Sequence, residues 1–405
     1  MKKRILALSL ASALVVGAMA SCTAEKTPVS SEPVEKKDVT LVMWGAQDDQ
    51  DFLKSVTDKF CKEYDKANVT VELKVMGEDV AKDEALKDVD SAGDVFGVAL
   101  DQIGALADAK AIYEIPDTAT SQFENIDMSL GKYNGKYYGI PYIAECSSVL
   151  FYNKSLLSEE DVVSVEKILE KDCGSAKNFA PRFGSAWEDI TWFATTGAKA
   201  FTDGDRKICD WNNADCVEMV KYIGTLKGTG KVANIDSKDV STLVNAFKDK
   251  QIASSFIGTY AASDIKEALG DDYGVAKMPT LKDKQMVTFA SGKVYVINAK
   301  CEDPDTALAL IQYVTNEENQ LKRFEERKAL PTNSNLATNE TILSDPTAAA
   351  ELAQFAYTVP NGPIYGTVDY WNTINALVES AFNGEIPEDQ VQTKLDELVK
   401  AYKGE

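Results

Sequence analysis

The chain contains no histidine, and this absence excludes several kinds of catalytic and metal site. Zinc sites built on histidine, Ser-His-Asp triads and Cys-His dyads all need an imidazole ring. The sequence also lacks the GxGxxG and GxxxxGK[ST] motifs, whose backbone amides hold nucleotide phosphates. We therefore expect a protein that uses no metal, no cofactor and no nucleotide.

Cysteines are present, seven in all, but none of them forms a CxxC pair. Apart from Cys22, only Cys209 and Cys216 lie close together in the sequence. A disulfide between these two is possible in an exported protein. Isolated buried thiols, which pack as small hydrophobic groups, fit the sequence equally well. The sequence leaves both alternatives open.

Positive charge is scarce, since 43 Lys and Arg residues face 64 Asp and Glu residues, for a net charge of −21. Removal of an N-terminal segment with Lys2, Lys3 and Arg4 would take away three positive charges and leave −24. Such a surface repels phosphate backbones and anionic lipid headgroups. Nucleic acid is therefore not an expected partner.

The only long apolar run covers residues 5–20 and follows the basic N-terminus. It is shorter than the ~20 residues that a membrane-spanning helix needs, so residues 1–21 predict an export signal. The signal ends in Met-Ala-Ser before Cys22, which resembles the lipobox of bacterial lipoproteins, in which the cysteine receives lipid. A plain secretory signal is the alternative. Residues 22–38 are polar and predict a flexible tether. Together, the export signal and a lipidated Cys22 predict a protein that is anchored by lipid to the outer face of the cell membrane, outside the cytoplasm.

Strands and helices alternate through the rest of the chain. Residues 39–44 predict a strand, Phe52, Val56, Phe60 and Tyr64 form a helical stripe, and residues 69–75 alternate as a second strand. Such β-α-β units build parallel sheets with helices on their faces. The fold class is therefore α/β.

Four segments, in order, resemble the extracellular solute-binding proteins of ABC sugar importers, and the maltose and maltodextrin binders most closely. They are DVFGVALDQIGALADAKAIYEI at 94–115, YNGKYYGIPYIAECSSVLFYNKSLL at 133–157, AFKDKQIASSFIGTY at 246–260, and the region 273–332 with YGVAKMP and ALPTN. The resemblance implies a type II periplasmic-binding-protein fold. Two lobes are joined there by a multi-strand hinge, and the ligand lies in the cleft between them.

The resemblance also implies the division of the chain. Lobe 1 would contain residues 39–145 and 290–344, and lobe 2 would contain residues 146–289 and 345–405. The chain would cross near 144–147, near 289–293 and at Ser344. The protein would be a monomer that closes on its ligand and delivers it to the transmembrane subunits of an ABC permease.

Glu145 is the leading polar candidate, because it stands among apolar residues where the chain leaves lobe 1. A buried charge is costly unless something pairs with it, and a carboxylate accepts strong hydrogen bonds from sugar hydroxyls. The resemblance places Glu at this position and an Asp that contacts sugar at Asp101. Asp49 follows the first strand. Helix capping is the alternative for both aspartates and is the favoured one for Asp49.

Three aromatic residues are candidates for stacking on the flat faces of sugar rings. Tyr260 follows the strand 252–257, where the family has a Trp, and Trp371 aligns with a second aromatic platform. Trp187 lies in the wall of lobe 2. Core packing is the alternative for all three, and we assign Trp192 to the core.

Four positions depart from the family pattern, which has Trp, Arg, Lys and Arg where this chain has Val98, Gln102, Gln50 and Asn375. Several cationic contacts are therefore absent, and the mode of binding should differ.

These observations predict a non-enzymatic protein that captures malto-oligosaccharides. The alternatives are a binder of another sugar, a polyol, a peptide or a polyamine, and a secreted glycoside hydrolase with Glu145 and Asp101 as its carboxyl pair.

Overall fold

A computed structural model describes residues 36–202, 205–235, 239–362 and 364–405. The predicted export signal, Cys22 and all of the predicted tether up to residue 35 lie outside the described residues. The segment Lys37–Glu405 forms one compact unit. Its first strand begins at Lys37, two residues before the predicted start, because Lys37 and Asp38 already pair with the neighbouring strand.

The strands are β1 Lys37–Gly45, β2 Ala67–Val75, β3 Val95–Ala99, β4 Lys132–Tyr133, β5 Lys136–Tyr137, β6 Gly139–Cys146, β7 Val149–Asn153, β8 Ser254–Ile257, β9 Tyr273–Ala276, β10 Thr280–Leu281, β11 Lys284–Gln285, β12 Thr288–Ile297 and β13 Thr358–Pro360.

The helices are α1 Gln50–Glu63, α2 Glu78–Lys87, α3 Ile103–Asp108, α4 Val165–Glu170, α5 Ala186–Ala194, α6 Ala214–Leu226, α7 Val240–Lys248, α8 Ala262–Leu269, α9 Pro304–Val314, α10 Glu317–Arg327, α11 Glu340–Leu343, α12 Pro346–Phe355, α13 Tyr370–Asn383 and α14 Val391–Lys403.

The first sheet has the strand order β13-β12-β3-β1-β2, and β6 also pairs with β12. β1 pairs with β2 and β3 in parallel, which confirms the predicted β-α-β start. Phe52, Val56 and Phe60 of α1 are buried against this sheet, as the helical stripe predicts. β12 runs antiparallel to both β3 and β6 and so occupies the middle of the sheet.

The second sheet has the order β8-β7-β9. Side chains on a strand alternate between its two faces, and both faces of β7 are covered by apolar residues. Leu150 and Tyr152 belong to a large core with Trp192 and Phe256, whereas Val149 and Phe151 pack with Phe247 and other residues on the opposite face. Trp192 is buried, which confirms its assignment to the core.

Side chains on β12 also alternate between the two faces of the first sheet, and apolar residues cover both of these faces. Tyr295 and Ile297 lie in the core that contains α1, and Val294 and Val296 lie in the core on the other face. Each sheet is thus enclosed by helices, and the molecule has the two-lobe α/β architecture that the sequence predicts.

The sheets meet where β6 ends and β12 begins. The Ser147 N–H donates to the Phe289 carbonyl at 2.9 Å, and the Phe289 N–H donates to the Ser147 hydroxyl at 3.1 Å. β13, which falls in the predicted lobe 2, pairs with the first three residues of β12. We call the region formed by the end of β6, the start of β12 and β13 the crossing.

The six cysteines of the described chain are free thiols, so Cys209 and Cys216 do not form a disulfide here. Burial raises the pKa of the Cys209 thiol to about 11 and that of the Cys216 thiol to about 12. Both side chains pack as small apolar groups in the core around the second sheet.

Candidate binding site

Glu145 lies at the next-to-last position of β6, opposite Ser291 of β12. Its carboxylate is 3.5 Å from the Lys293 ammonium, and the exposed fractions of the two side chains are 34% and 29%. Lys293 is also 3.9 Å from a carboxylate oxygen of Glu78. Although burial alone would lower it, these two carboxylates raise the pKa of Lys293. Glu145 therefore has a charge partner, and part of its side chain is open to solvent.

Asp101 lies in the 3-10 turn Leu100–Gln102, directly after β3. The N-cap positions of this turn and of α3 are occupied by Ala99 and Gln102, so Asp101 is the N-cap residue of neither. Burial raises the pKa of its carboxyl. The turn packs against the 3-10 turn Tyr365–Thr367, which comes shortly before Trp371 in the chain.

Asp49 stands at the N-cap position of α1 but makes no side-chain capping bond. The favoured capping interpretation is therefore wrong. Its buried carboxylate lies 3.6 Å from the Arg323 guanidinium and 3.2 Å from Nε of Arg327. Arg323 also donates to the Tyr295 hydroxyl at 2.6 Å. The Asp49 carboxylate is thus engaged by two guanidinium groups, and its ligand contact stays a prediction.

Tyr260 follows β8, and the residue has an exposed fraction of 60%. Its hydroxyl accepts from Arg182 at 3.0 Å and donates to Glu188 at 3.2 Å. Arg182 and Glu188 are themselves a buried ion pair at 3.0 Å. A Cβ at Gly258 would lie 2.5 Å from a ring carbon of Tyr260, so glycine makes room for this ring position. The hydroxyl is fixed while the residue remains accessible.

Trp187 and Trp371 are brought together although 184 positions separate them in the chain. Each is the second residue of its helix, α5 and α13, and their ring centroids are 6.5 Å apart. Both are partly buried against the large core, and Trp187 also contacts Phe289 of the crossing at 5.8 Å. The Tyr370 hydroxyl donates to the Ala186 carbonyl at 3.0 Å, which ties the two helix starts together.

The Tyr260 turn and Glu145 meet at the crossing. A Cβ at Gly258 would lie 3.3 Å from the Ser147 carbonyl oxygen, so the turn rests on the chain two residues after Glu145. Phe289 pairs with the same Ser147 backbone and contacts Trp187. The structure therefore gathers Glu145, Tyr260 and Trp187 around the crossing, whereas Asp49 belongs to the buried arginine network.

The four departures from the family pattern have distinct environments. Val98 is fully buried in β3, and the Gln50 amide donates to the Gly45 carbonyl at 2.8 Å. The side-chain carbonyl oxygens of Gln102 and Asn375 are buried and have no hydrogen-bond partner among the described residues. Such groups are uncommon in native proteins and call for an explanation.

Sequence reasoning missed the residues that hold the site together, namely Arg182, Glu188 and Lys293. Arg182 adopts a left-handed backbone with φ of 46°, an arrangement that costs on the order of 1 kcal/mol or more and persists only where surrounding contacts fix it. Lys293 lies within the predicted crossing 289–293, and a cation at that position was the available signal.

A cavity of about 960 Å³ borders the crossing, because β13 lines it, but none of the six predicted ligand residues does. Tyr365 is one of its lining residues, and the ring centroid of Tyr365 lies 4.9 Å from that of Phe289. Within the described ranges, no helix is long and apolar enough to cross a membrane. Nor do the described residues contain a group of three or more potential ligands for a metal ion.

The fold and the arrangement of the site define a class, the two-lobe binding proteins. The maltodextrin binding protein MalE1 from L. casei BL23, solved without ligand, superposes with a TM-score of 0.82 and 25% identity, over 90% of this chain and 99% of that one. A cyclo/maltodextrin-binding protein complexed with maltotetraose shares the fold with a TM-score of 0.77 and 22% identity, over 91% of this chain and 98% of that one.

Sequence comparison then gives the family. Residues 55–350 match the family described as bacterial extracellular solute-binding protein, and the chain belongs to it. The maltodextrin-binding protein MdxE of Bacillus subtilis (strain 168) is 26% identical, over 99% of this chain and 97% of that protein. The galactooligosaccharide-binding protein of the same organism is 25% identical, over 96% of this chain and 94% of that protein.

Proposed function

We propose that this protein binds malto-oligosaccharides outside the cytoplasm and delivers them to the transmembrane subunits of an ABC importer. The observation that carries the proposal is the exposed Tyr260, whose hydroxyl is fixed by the buried Arg182–Glu188 pair, together with the Trp187–Trp371 pair, in which Trp187 directly precedes Glu188. Aromatic faces of this kind bury the C–H faces of sugar rings and leave the hydroxyls free. Relatives described as binders of maltodextrin support this ligand class.

Polar groups that accept hydrogen bonds complement these rings. Glu145 is partly exposed, and charged acceptors form hydrogen bonds roughly twice as strong as neutral ones. The orphaned carbonyl oxygens of Gln102 and Asn375 would also accept bonds from sugar hydroxyls. Because arginine offers only donors, these amides would replace donor contacts of the family with acceptor contacts. Asp101 and Asp49 remain predicted contacts.

A galacto-oligosaccharide is the second candidate ligand, because the relative described as binding it is almost as similar as the maltodextrin binder. Stacking discriminates poorly between sugars that differ in the orientation of one hydroxyl group. The choice therefore depends on the acceptors, and the experiment below includes both sugars.

Binding without catalysis is part of the proposal. Glycoside hydrolysis needs two carboxyl groups roughly 5–10 Å apart across the scissile bond. Glu145 instead pairs with Lys293, and the similar proteins named above are described as binding proteins. Incubation with maltoheptaose should leave its length unchanged in chromatography. The appearance of shorter products would contradict this part of the proposal.

The test of the function is a thermal-shift and calorimetric series with maltotriose, maltoheptaose and a galacto-oligosaccharide. A bound sugar should raise the midpoint of thermal unfolding by mass action. Glu145→Ala should weaken binding by about 1.5–3 kcal/mol, the range for a hydrogen bond to a charged group. Glu340→Ala, at an exposed position of α11, is the matched control and should bind like the wild type. Equal affinities of the two variants would reject the role of Glu145.

Lipid anchoring through Cys22 is a further part of the proposal, and it rests on the signal and on the small residues before the cysteine. The extracellular family supports a location outside the cytoplasm. Cys22→Ala, expressed in a bacterial host, should move the protein from the membrane fraction to the soluble fraction. Cys61→Ala is the matched control and should leave the partition unchanged. An unchanged partition of Cys22→Ala would contradict anchoring.

The lobe boundaries predicted above also belong to the proposal, and so does a monomeric protein. On binding, lobe 2 (residues 146–289 and 345–405) would move toward lobe 1 (residues 39–145 and 290–344). The contact of the turn Leu100–Gln102 with the turn Tyr365–Thr367 supports this motion, since each turn belongs to a different predicted lobe. Sugar held between Asp101 and Trp371 would bridge the two predicted lobes beside this contact.

A further inference from the structure

Glu351 is a buried acidic residue on the inner face of α12, and the function proposed above does not use it. Its Oε1 accepts a hydrogen bond of 2.8 Å from the Cys146 N–H. Cys146 is the last residue of β6 and directly follows Glu145. The carboxyl of Glu351 therefore holds the strand end that carries Glu145.

The same carboxyl reaches the turn that carries Tyr260. The Thr259 side chain forms a hydrogen bond with it, and Thr259 directly precedes Tyr260. This turn rests on the Ser147 backbone through Gly258. One buried side chain of α12 thus touches both segments from which the candidate site is built.

Few charges surround this carboxyl. β6 contributes Glu145 and the Cys146 thiol. Tyr273 of β9 instead shares a hydrogen bond of 2.7 Å with the Thr347 hydroxyl at the start of α12, and Tyr152 of β7 packs in the core. Glu340 of α11 is exposed. Lys293, the cation of the region, is paired with Glu145.

We propose that Glu351 is a positioning residue that holds the Glu145 strand end and the Tyr260 turn in one arrangement, and thereby sets the affinity for sugar. The inference rests on the proposed function, because it takes Glu145 and Tyr260 as ligand contacts. It assigns to α12 a role in binding although none of the six predicted ligand residues lies on this helix.

The proposed role of Glu351 predicts that the affinity for sugar depends on pH. Burial, with a smaller contribution from Glu145, raises the pKa of Glu351 to about 8, although the bonds from Cys146 and Thr259 oppose the shift. Ionisation above this pH places a second negative charge beside Glu145. Sugar that covers Glu145 removes water and strengthens the repulsion, so the complex holds the proton more tightly than the free protein. Affinity therefore falls as the pH rises through about 8.

The experiment is a calorimetric titration with maltotriose from about pH 6 to about pH 9.5, a window that brackets the ionisation. The affinity of the wild type should fall about threefold to tenfold, since a difference of one pKa unit between free and bound protein corresponds to about tenfold. Glu351→Gln keeps an acceptor for Cys146 and loses the proton, so its affinity should not change with pH. Glu340→Gln, the matched control, should follow the wild type.

A second variant and a second measurement keep the test decisive. Thr259→Val removes a bond that lowers the pKa of Glu351, so the fall in affinity should move to higher pH. Without sugar, the folded protein holds a proton that the unfolded chain releases near its ordinary pKa of 4.5. The unfolding free energy of the wild type should therefore decrease from about pH 4.5 to about pH 8, and that of Glu351→Gln should lack this decrease.

Identical pH profiles of the wild type and Glu351→Gln in both measurements would overturn the inference. A difference in stability without a difference in affinity would also overturn it, because Glu351 would then be structural only. Absence of maltotriose binding at every pH would instead contradict the proposed function, and the stability profile would still report on the proton of Glu351.

Discussion

Two pairs of a carboxylate with a cation differ in this molecule in how far they are exposed to solvent. Asp49 and Arg323 are buried, and the guanidinium lies over the rings of Phe52 and Tyr142 at 4.4 and 4.6 Å. Glu145 and Lys293 keep about a third of each side chain exposed. A buried pair loses much when one partner is removed, whereas a solvated pair contributes little to stability and exchanges partners easily. The difference in burial therefore predicts different costs for breaking the two pairs.

The largest expected effect is that of Arg323→Ala. It leaves the Asp49 carboxylate buried beside only one guanidinium and removes the contact with the Tyr295 hydroxyl. Loss of one partner of a buried pair costs about 3–5 kcal/mol of unfolding free energy, measured in denaturant. Arg327→Ala is the matched control, because Arg327 pairs with the same carboxylate but is 30% exposed, and it should cost much less. Equal losses of unfolding free energy in the two variants would contradict the distinction between buried and solvated ion pairs.

Trp371→Ala should have the next largest effect, and on affinity rather than on folding. Removing the ring should weaken sugar binding by about 1.5–3 kcal/mol if its apolar area is covered by the ligand. It should also remove most of the sugar-induced change in tryptophan fluorescence. Trp192→Phe, in the core, should lower stability and leave affinity unchanged. If Trp371→Ala behaves in this second way, Trp371 is a core residue.

Lys293→Met should have the smallest effect on stability. Its pair with Glu145 is partly solvated, and exposed pairs contribute about 0–1 kcal/mol to the unfolding free energy. Lys284→Met, at a more exposed pair with Asp215, gives the baseline in the same denaturant experiment. A loss of several kcal/mol would show that Glu145 and Lys293 are framework like Asp49 and Arg323.

Much of the fold could be predicted because its signals are local. The stripe Phe52, Val56 and Phe60 and the alternation of the second strand needed only a short window of sequence. By contrast, the prediction omitted several helices, α10 and α12 among them. α10, EENQLKRFEER, has too few apolar residues for a clear stripe, although its cap Asn316 was a usable signal. Asp345 followed by a first-turn Pro346 likewise marked the start of α12.

The site was predictable only in part, because its support depends on residues far apart in the chain. Tyr260 lies 78 positions after Arg182, and Glu351 lies 205 positions after Cys146. No spacing in the sequence indicates such pairs. The ligand contacts of the six predicted residues therefore stay predictions, while the omitted residues Arg182, Glu188 and Glu351 came from the structure.

The central place of β12 in the first sheet determines how this protein has to fold. The strand lies between β3 and β6, yet it is made almost 190 residues after β3 along the chain. Contacts between such distant segments require the closure of long loops, which slows folding. A nascent chain that ends at residue 145 would have the strands of the N-terminal half but not the one that joins them. The first sheet therefore cannot be completed until β12 has been synthesised.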